Sequence, residues 1–145
     1  MASEFSAEER AAMRQAMAEK RKATQRLKGP ERDAAELQDA LDAIAGMTGL
    51  DHTLAAGIHE LVLAAAPQLK AKTWYGFPAY CLDGKVICFF QPAAKFKTRL
   101  ATFGFQETAQ LDDGSMWPVA YAVIELTASV KAEITALVKR AVGSV

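Results

Sequence analysis

Residues 73–90, TWYGFPAYCLDGKVICFF, decide the fold of this 145-residue chain. Asp83-Gly84 lies between two runs of aromatic and aliphatic residues. This dipeptide readily adopts the positive φ angles that a two-residue hairpin turn requires. The stretch therefore predicts a β-hairpin at the centre of a small sheet, with the rest of the chain packed around it.

The predicted register assigns the side chains to two faces, because successive residues of a strand point in opposite directions. It pairs Leu82 with Lys85, Cys81 with Val86, Tyr80 with Ile87 and Ala79 with Cys88. One face is wholly apolar and should lie under helices: Phe77, Ala79, Cys81, Val86, Cys88 and Phe90. The other combines aromatic and polar residues: Tyr80, Leu82, Lys85, Ile87, Phe89 and Gln91. We expect this second face to be a binding surface, a dimer surface or a second layer of core.

Composition and charge limit the class of protein. Half of the residues are hydrophobic, and 17 basic residues balance 17 acidic ones. Neutral net charge argues against a dedicated nucleic-acid or membrane-surface protein. No apolar run approaches the ~20 residues of a membrane span, and the acidic start MASEFSAEER lacks the apolar segment of a signal peptide. We expect a cytoplasmic monomer or homodimer with no membrane partner, for which nucleic acid is an unlikely ligand.

Helix signals fill the N-terminal third of the chain. The segment from Ser6 to Glu9 has the pattern of a capping box and predicts a helix to about Lys28, with a thin apolar side of Met13, Met17 and Leu27. Pro30 suits the first turn of a second helix, whose buried side is Leu37, Leu41 and Ile44. Asp51 is expected to cap a third helix that runs to about Ala66.

Strand and helix signals alternate after the hairpin. The stretch KFKTRLATFGF, residues 95–105, alternates as a strand, with Lys95, Lys97 and Arg99 on one face. Such a basic stripe would either hold an anionic ligand or single-stranded nucleic acid, or protect a sheet edge. Residues 121–126 predict a last strand. Thr127 then caps a final helix with Ile134 and Leu137 on its buried side.

The spacing of the cysteines and histidines indicates neither a disulfide nor a metal site. In the predicted register Cys81 and Cys88 lie on one face but diagonally offset by roughly 7 Å, which is long for a disulfide. We expect two reduced thiols in the core. His52 and His59 lie on one helix but ~10 Å apart along its axis, too far to hold one metal ion, and we expect both to be solvated.

Carboxylates are the candidate metal ligands. Glu36, Asp39 and Asp42 lie along one exposed side of the second predicted helix, where they would either hold a hard cation weakly or form a solvated face. No P-loop, GxGxxG, GxSxG, HExxH or CxxC motif is present. Their absence favours a non-enzymatic protein without excluding an enzyme, and no catalytic residue is assigned.

The segment KTWYGFPAYCLDGKVICFF, residues 72–90, resembles the YdhG-like family of small bacterial proteins, a domain of unknown function. The resemblance continues through KFKTRLATFGF, LDDGSMWP and ELTASVKAEITALVKRAV, and covers roughly Leu54 to Val142. It implies an α+β fold in which helices cover mainly one face of an antiparallel sheet. Residues 50–145 would form this domain, and residues 1–49 an N-terminal helical extension.

Some members of that family are described as frataxin-like iron chaperones, so the resemblance implies iron binding and delivery to an acceptor protein. Exposed carboxylates would hold the iron. These are Glu36, Asp39 and Asp42, with a second cluster of Glu107, Asp112 and Asp113. None of them lies in a motif that matches the family residue by residue.

The residues themselves suggest a second function, the binding of a small anionic molecule. Aromatic side chains would form the walls of a cleft and lysines would hold the charge. The candidate residues are Trp74, Tyr80, Phe89 and Trp117, with Lys95 or Lys97. The alternative for each aromatic residue is a place in the core.

Overall fold

The computed structural model describes residues 5–25 and 29–143. Within these ranges helices combine with a five-stranded antiparallel sheet, so the fold is α+β with an N-terminal helical part, as the sequence predicts. The helices are α1 (Ala7–Gln25), α2 (Pro30–Ala45), α3 (Gly49–Ala65), α4 (Ala93–Phe96) and α5 (Ala128–Ala141). The strands are β1 (Lys70–Trp74), β2 (Phe77–Leu82), β3 (Lys85–Gln91), β4 (Ala101–Phe105) and β5 (Ala120–Val123).

Several of the helix starts predicted from the sequence are present in the structure. The side chains of Ser6 and Glu9 form the reciprocal hydrogen bonds of a capping box at the start of α1. Pro30 begins α2, and the Thr127 hydroxyl accepts a hydrogen bond from the Val130 N–H at the start of α5. Leu27 and the predicted helix end at Lys28 lie outside the described residues. None of the helices in the described ranges has the length and apolarity needed to cross a lipid bilayer.

The sheet is a meander in which each strand pairs with the next along the chain. Asp83 and Gly84 have φ angles of 51° and 81°, which confirms the predicted turn between β2 and β3. A second turn of the same kind precedes it, with φ angles of 54° at Tyr75 and 82° at Gly76. The sequence analysis missed this turn, and with it the pairing of β1 with β2.

The register between β2 and β3 differs from the prediction. Leu82 pairs with Lys85 and Cys81 with Val86, as expected, but a bulge shifts the register so that Tyr80 pairs with Cys88 and Ala79 with Phe89. The run from Val86 to Phe90 is continuously apolar, so hydrophobic alternation does not fix which side chain faces the helices. Cys88 and Phe90 therefore face the helices as predicted, and so do Tyr80 and Ile87, which were expected on the other face. Phe77, Ala79, Cys81 and Val86, which were expected under the helices, lie on the opposite face.

Helices α2, α3 and α5 pack against one face of the sheet, which we call the covered face. Its side chains share one core with these helices. The covered face comprises Ala71, Tyr80, Ile87, Cys88, Phe90, Ala101, Phe103, Phe105, Tyr121 and Val123. Of the residues expected to share this core, Cys88, Phe90, Ile134 and Leu137 do so; Leu61 packs against it while partly exposed, and Val86 lies outside it.

The opposite face, which we call the open face, carries the other half of each strand. It comprises Trp74, Phe77, Ala79, Cys81, Phe89, Gln91, Thr102, Gly104, Ala120 and Ala122. Part of it lies under α1. The proposed division of the chain at residue 49 stays a prediction, although α2 contributes Ala40 and Ile44 to the same core as the sheet.

Asp51 has a different role from the predicted one. Helix α3 begins at Gly49, and the buried Asp51 carboxylate accepts hydrogen bonds from the Ala93 and Ala94 N–H groups at 3.0 and 2.9 Å. It therefore caps the single turn of α4, where a strand was expected. Lys97 then has a left-handed φ of 53°, and β4 begins only at Ala101. The predicted basic stripe of Lys95, Lys97 and Arg99 does not form on a strand.

Both cysteines are free and buried, as predicted, but the bulge places them on opposite faces of the sheet. Burial raises the pKa of the Cys81 thiol to about 11 and also raises the pKa of the Cys88 thiol. Since the thiolate is the reactive form, we expect slow reaction of the native protein with an aromatic disulfide reagent near pH 8. Denatured, unreduced protein should titrate as two thiols per chain, and a count of zero would contradict this arrangement.

Candidate ligand-binding groove

The turn between β1 and β2 positions the side chains of the candidate ligand-binding site. Trp74 and Phe77 close the turn and form its last cross-strand pair, so both side chains lie on the open face. Gly76 has a positive φ, and a side chain there would collide with the ends of Lys95 and Gln15. The positive φ of 82° is what favours glycine at this position, because the flexible ends of Lys95 and Gln15 could move aside.

Aromatic rings cluster beside this turn. The ring of Trp74 lies 5.9 Å from that of Phe77 and 5.4 Å from that of Phe89, and Phe77 lies 5.8 Å from Phe96. These separations and the tilted orientations are those that aromatic pairs prefer. Phe77 is buried, whereas Trp74, Phe89 and Phe96 keep part of their surface in solvent.

The absence of a side chain at Gly104 allows the Phe89 ring to lie within the cluster. Phe89 and Gly104 are cross-strand partners, and a Cβ atom at Gly104 would overlap the Phe89 ring. Without that atom the ring lies across β4 rather than standing away from the sheet. A glycine inside a strand often marks such a close approach.

Helix α1 forms the opposite wall and is attached mainly by polar contacts. Both oxygens of the Glu19 carboxylate accept backbone hydrogen bonds from the turn, from Tyr75 at 3.1 Å and Gly76 at 3.0 Å. Gln15 accepts a hydrogen bond from Lys95. Near the start of the helix, Ala12 is buried against the aromatic cluster.

An apolar groove of about 400 Å³ remains between α1 and the aromatic cluster. Its lining residues are Phe5, Glu9, Ala12, Met13, Trp74, Tyr75, Phe77, Phe89, Gln91 and Phe96. The Glu9 carboxylate is already engaged in the capping box. The Gln91 amide, in contrast, has no hydrogen-bond partner within residues 5–25 and 29–143. The groove therefore offers aromatic surface and one free donor and acceptor group.

A second, polar cleft of about 760 Å³ lies on the other side of the same turn, between α1, α2 and α4. Lys95 lines this cleft, where its ammonium group donates to Gln15 and to the Tyr75 carbonyl. Partial burial lowers the pKa of Lys95. Asp39 and Asp42 line the same cleft from α2.

Of the ligand-binding residues predicted from sequence, the structure brings together only Trp74 and Phe89. Lys95 points into the polar cleft. Lys97 is exposed and pairs with Glu8 at 2.8 Å, a bond that lowers the pKa of Glu8 and raises that of Lys97. Trp117 packs against the core under the covered face.

Tyr80 is not a groove residue, because the bulge turns it into the core, where it is fully buried. Its hydroxyl lies 2.9 Å from Nδ1 of His59 on α3. Burial raises the pKa of Tyr80 and lowers that of His59, so both groups are neutral at physiological pH. The expectation that His59 is solvated is wrong, because its ring is partly buried and bonded to Tyr80. His52 is exposed and its Nδ1 lies 2.9 Å from the Ile44 carbonyl oxygen.

The carboxylates predicted to bind iron do not form a compact set of ligands. Glu36 is mostly buried and pairs with Arg32 at 3.0 Å, and Asp42 accepts a hydrogen bond from Gln38. Glu107, Asp112 and Asp113 are exposed. In the part of the chain that the structure describes, no group of three or more His, Cys, Asp or Glu side chains is placed to hold a metal ion.

Sequence reasoning missed most of the groove. It placed Phe89 and Gln91 together on a candidate binding face, but it assigned Phe77 to the face under the helices. Tyr75 and Phe96 adjoin residues that it named, whereas the α1 residues Ala12 and Met13 come from a distant segment. The Tyr-Gly dipeptide at 75–76 was the one available signal, because glycine after an aromatic residue between two strand-like runs indicates a turn.

Comparison of the chain with protein-family models, curated proteins and solved structures finds no match. The resemblance to the YdhG-like family therefore stays a prediction. The geometry of the groove is what supports a function.

We expect the His59–Tyr80 pair to make folding stability depend on pH. His59 has a lower pKa in the folded chain than in the unfolded chain, so its contribution is complete above the unfolded value of about 6.5 and is lost as the pH falls through the folded value. Each unit of difference between the two pKa values is worth about 1.4 kcal/mol. Melting temperatures should therefore fall more between about pH 7.5 and 5 for the native protein than for His59→Asn.

Asparagine places its side-chain oxygen near the position of Nδ1, so it retains an acceptor for the Tyr80 hydroxyl but takes up no proton, which makes it the matched control. Carboxylates that titrate in the same range affect both proteins equally. The same dependence of melting temperature on pH in both proteins would show that His59 contributes nothing.

Proposed function

We propose that this protein binds a small aromatic molecule, uncharged and with one polar group, in the groove between α1 and the open face. The observation that carries the proposal is the cluster of partly exposed rings of Trp74, Phe89 and Phe96 around a groove of about 400 Å³ with a free amide at Gln91. This volume is within the range of small-molecule sites, which are mostly apolar with a few polar groups.

The energetics favour an occupant for this groove. Fully burying one large apolar side chain stabilises by about 1.5–3 kcal/mol, and a favourable aromatic pair adds about 0.5–1.5 kcal/mol. Helix α1 covers Phe77 but leaves parts of Trp74, Phe89 and Phe96 in water. A flat aromatic molecule would complete this burial.

The charges around the groove favour a neutral ligand over an anion. Lys95 and Lys97 bind other partners and do not line the groove. The charged side chain that does line it is Glu9, whose carboxylate would repel an anion. An amide at Gln91 both donates and accepts a hydrogen bond, so it suits a hydroxyl or amide on the ligand.

Iron delivery, the function that the resemblance implies, has weaker support. A carboxylate site for a hard cation needs several oxygen ligands on one ion. Glu36 is paired with Arg32 and is absent from the residues that line the polar cleft, whereas Asp39 and Asp42 do line it. The geometry thus leaves two of the three predicted ligands on a shared surface.

The groove can be tested with a fluorescent probe. N-phenyl-1-naphthylamine is a neutral aromatic molecule that brightens in apolar sites, and its emission can be excited beyond the absorption of tryptophan. We expect saturable binding to the native protein and at least about tenfold weaker binding, or about 1.4 kcal/mol, to Met13→Trp, because the indole would fill the groove. Met17→Trp is the matched control: Met17 lies one turn further along α1 and is 60% exposed.

Equal affinity of the two tryptophan variants for the probe would contradict the proposed site. Tighter binding of the sulfonated analogue 1-anilinonaphthalene-8-sulfonate, lost in Lys95→Met, would instead favour an anionic ligand. A saturable Fe(II) titration that is abolished by Asp39→Asn with Asp42→Asn would favour the iron function.

A further inference from the structure

Strand β5 is an unprotected edge of the sheet. The Phe105 N–H donates to the Val119 carbonyl at 2.7 Å, and Phe103 pairs with Tyr121. In an antiparallel ladder the residues of one strand point their backbone groups alternately toward and away from the partner. The backbone groups of Ala120 and Ala122 therefore point away from β4, and no described residue pairs with them.

Exposed apolar side chains accompany this edge. Met116 is 88% exposed, Ile124 65% and Val119 44%. The ten residues from Ser115 to Ile124, SMWPVAYAVI, include no charged residue. Edge strands of monomeric proteins are usually blunted by charge, most often by lysine, and this protection is missing here.

The other edge of the sheet shows the contrast. Strand β1 carries Lys70 and Lys72, and Lys70 lies 3.8 Å from Asp33 of α2. Helix α1 also binds the turn at the end of β1 through Glu19. Charge and neighbouring helices therefore protect the β1 edge against pairing with another strand. The β5 edge carries no charge, and its outward backbone groups have no partner among the described residues.

We propose that β5 pairs with β5 of a second copy of this chain, so that two sheets join antiparallel into one continuous sheet. An antiparallel pair of identical strands has two-fold symmetry and forms a closed dimer. With the axis at Ala122, this residue lies opposite its own copy, and Ala120 lies opposite Ile124. The backbone groups of Ala122 point outward, so Ala122 exchanges two hydrogen bonds with its copy.

The neutral net charge and the uncharged edge favour a second copy as the occupant. Each chain has 17 basic and 17 acidic residues, so two copies approach without net repulsion. Across the axis Ala122 faces its own copy, Ala120 faces Ile124 and Tyr121 faces Val123, so no like charges meet. The small side chains of Ala120 and Ala122 also leave the open face flat at the junction, as sheet continuation requires.

The test is the molar mass in solution, measured by light scattering on a sizing column at about 10–100 μM. We expect the native protein to have twice the 15.7 kDa chain mass. Ala122→Lys and Ala122→Glu should each be monomeric, because like charges would then lie in direct contact across the axis. Mixing the two variants should restore a dimer that contains one chain of each.

The matched control is Ala136→Lys, an equally small and exposed position on α5, which should leave the dimer intact. Circular dichroism of each variant verifies that the fold is retained, as expected for an exposed alanine. A monomeric native protein would overturn the proposal. So would a dimer that persists in both Ala122 variants, or a mixture of the two that stays monomeric.

Discussion

The pairing of β2 with β3 across the bulge is the interaction on which the rest of the structure depends. It shifts the register by one residue after Cys81 and so sends Tyr80 to one face and Phe89 to the other. Tyr80 then meets His59 in the core, while Phe89 lies flat against Gly104 on the open face. Core and groove are thus consequences of a single irregularity in one hairpin.

The groove is assembled from segments far apart in the chain. Asp51, at the start of α3, fixes α4 through the N–H groups of Ala93 and Ala94, and this positions Phe96 beside Phe77. Glu19 fixes α1 against the turn at Tyr75 and Gly76. Two carboxylates that bind backbone N–H groups therefore hold the walls in place. Hydrogen bonds to charged groups are among the stronger ones, at about 1.5–3 kcal/mol each.

The two proposals use different ends of the same open face. The aromatic groove occupies the side of β1, β2 and β3, where α1 covers the sheet. The paired edge would lie at β5, on the far side of Gly104 and Thr102. Joining two sheets at β5 leaves both grooves open to solvent and places them at opposite ends of one surface, so ligand binding and pairing do not compete for the same residues.

The sequence by itself determined the α+β class, the turn at Asp83-Gly84, the capping box at Ser6 and the cap at Thr127. These are local signals, since each depends on residues within three or four positions of one another. It also grouped Trp74 and Phe89 in one cleft, although the Tyr80 and Trp117 of that group belong to the core or pack against it. Only the tertiary structure decided which face of the hairpin lies under the helices: residues 86–90 are apolar on both sides, and packing selects the bulged register. Long-range hydrogen bonds decided the rest. The contact of Asp51 with residues 93–94 replaced an expected strand with a helical turn. The contact of Glu19 with residues 75–76 brought α1 to the groove. Neither contact could be predicted, because sequence periodicity contains no information about partners more than forty residues away.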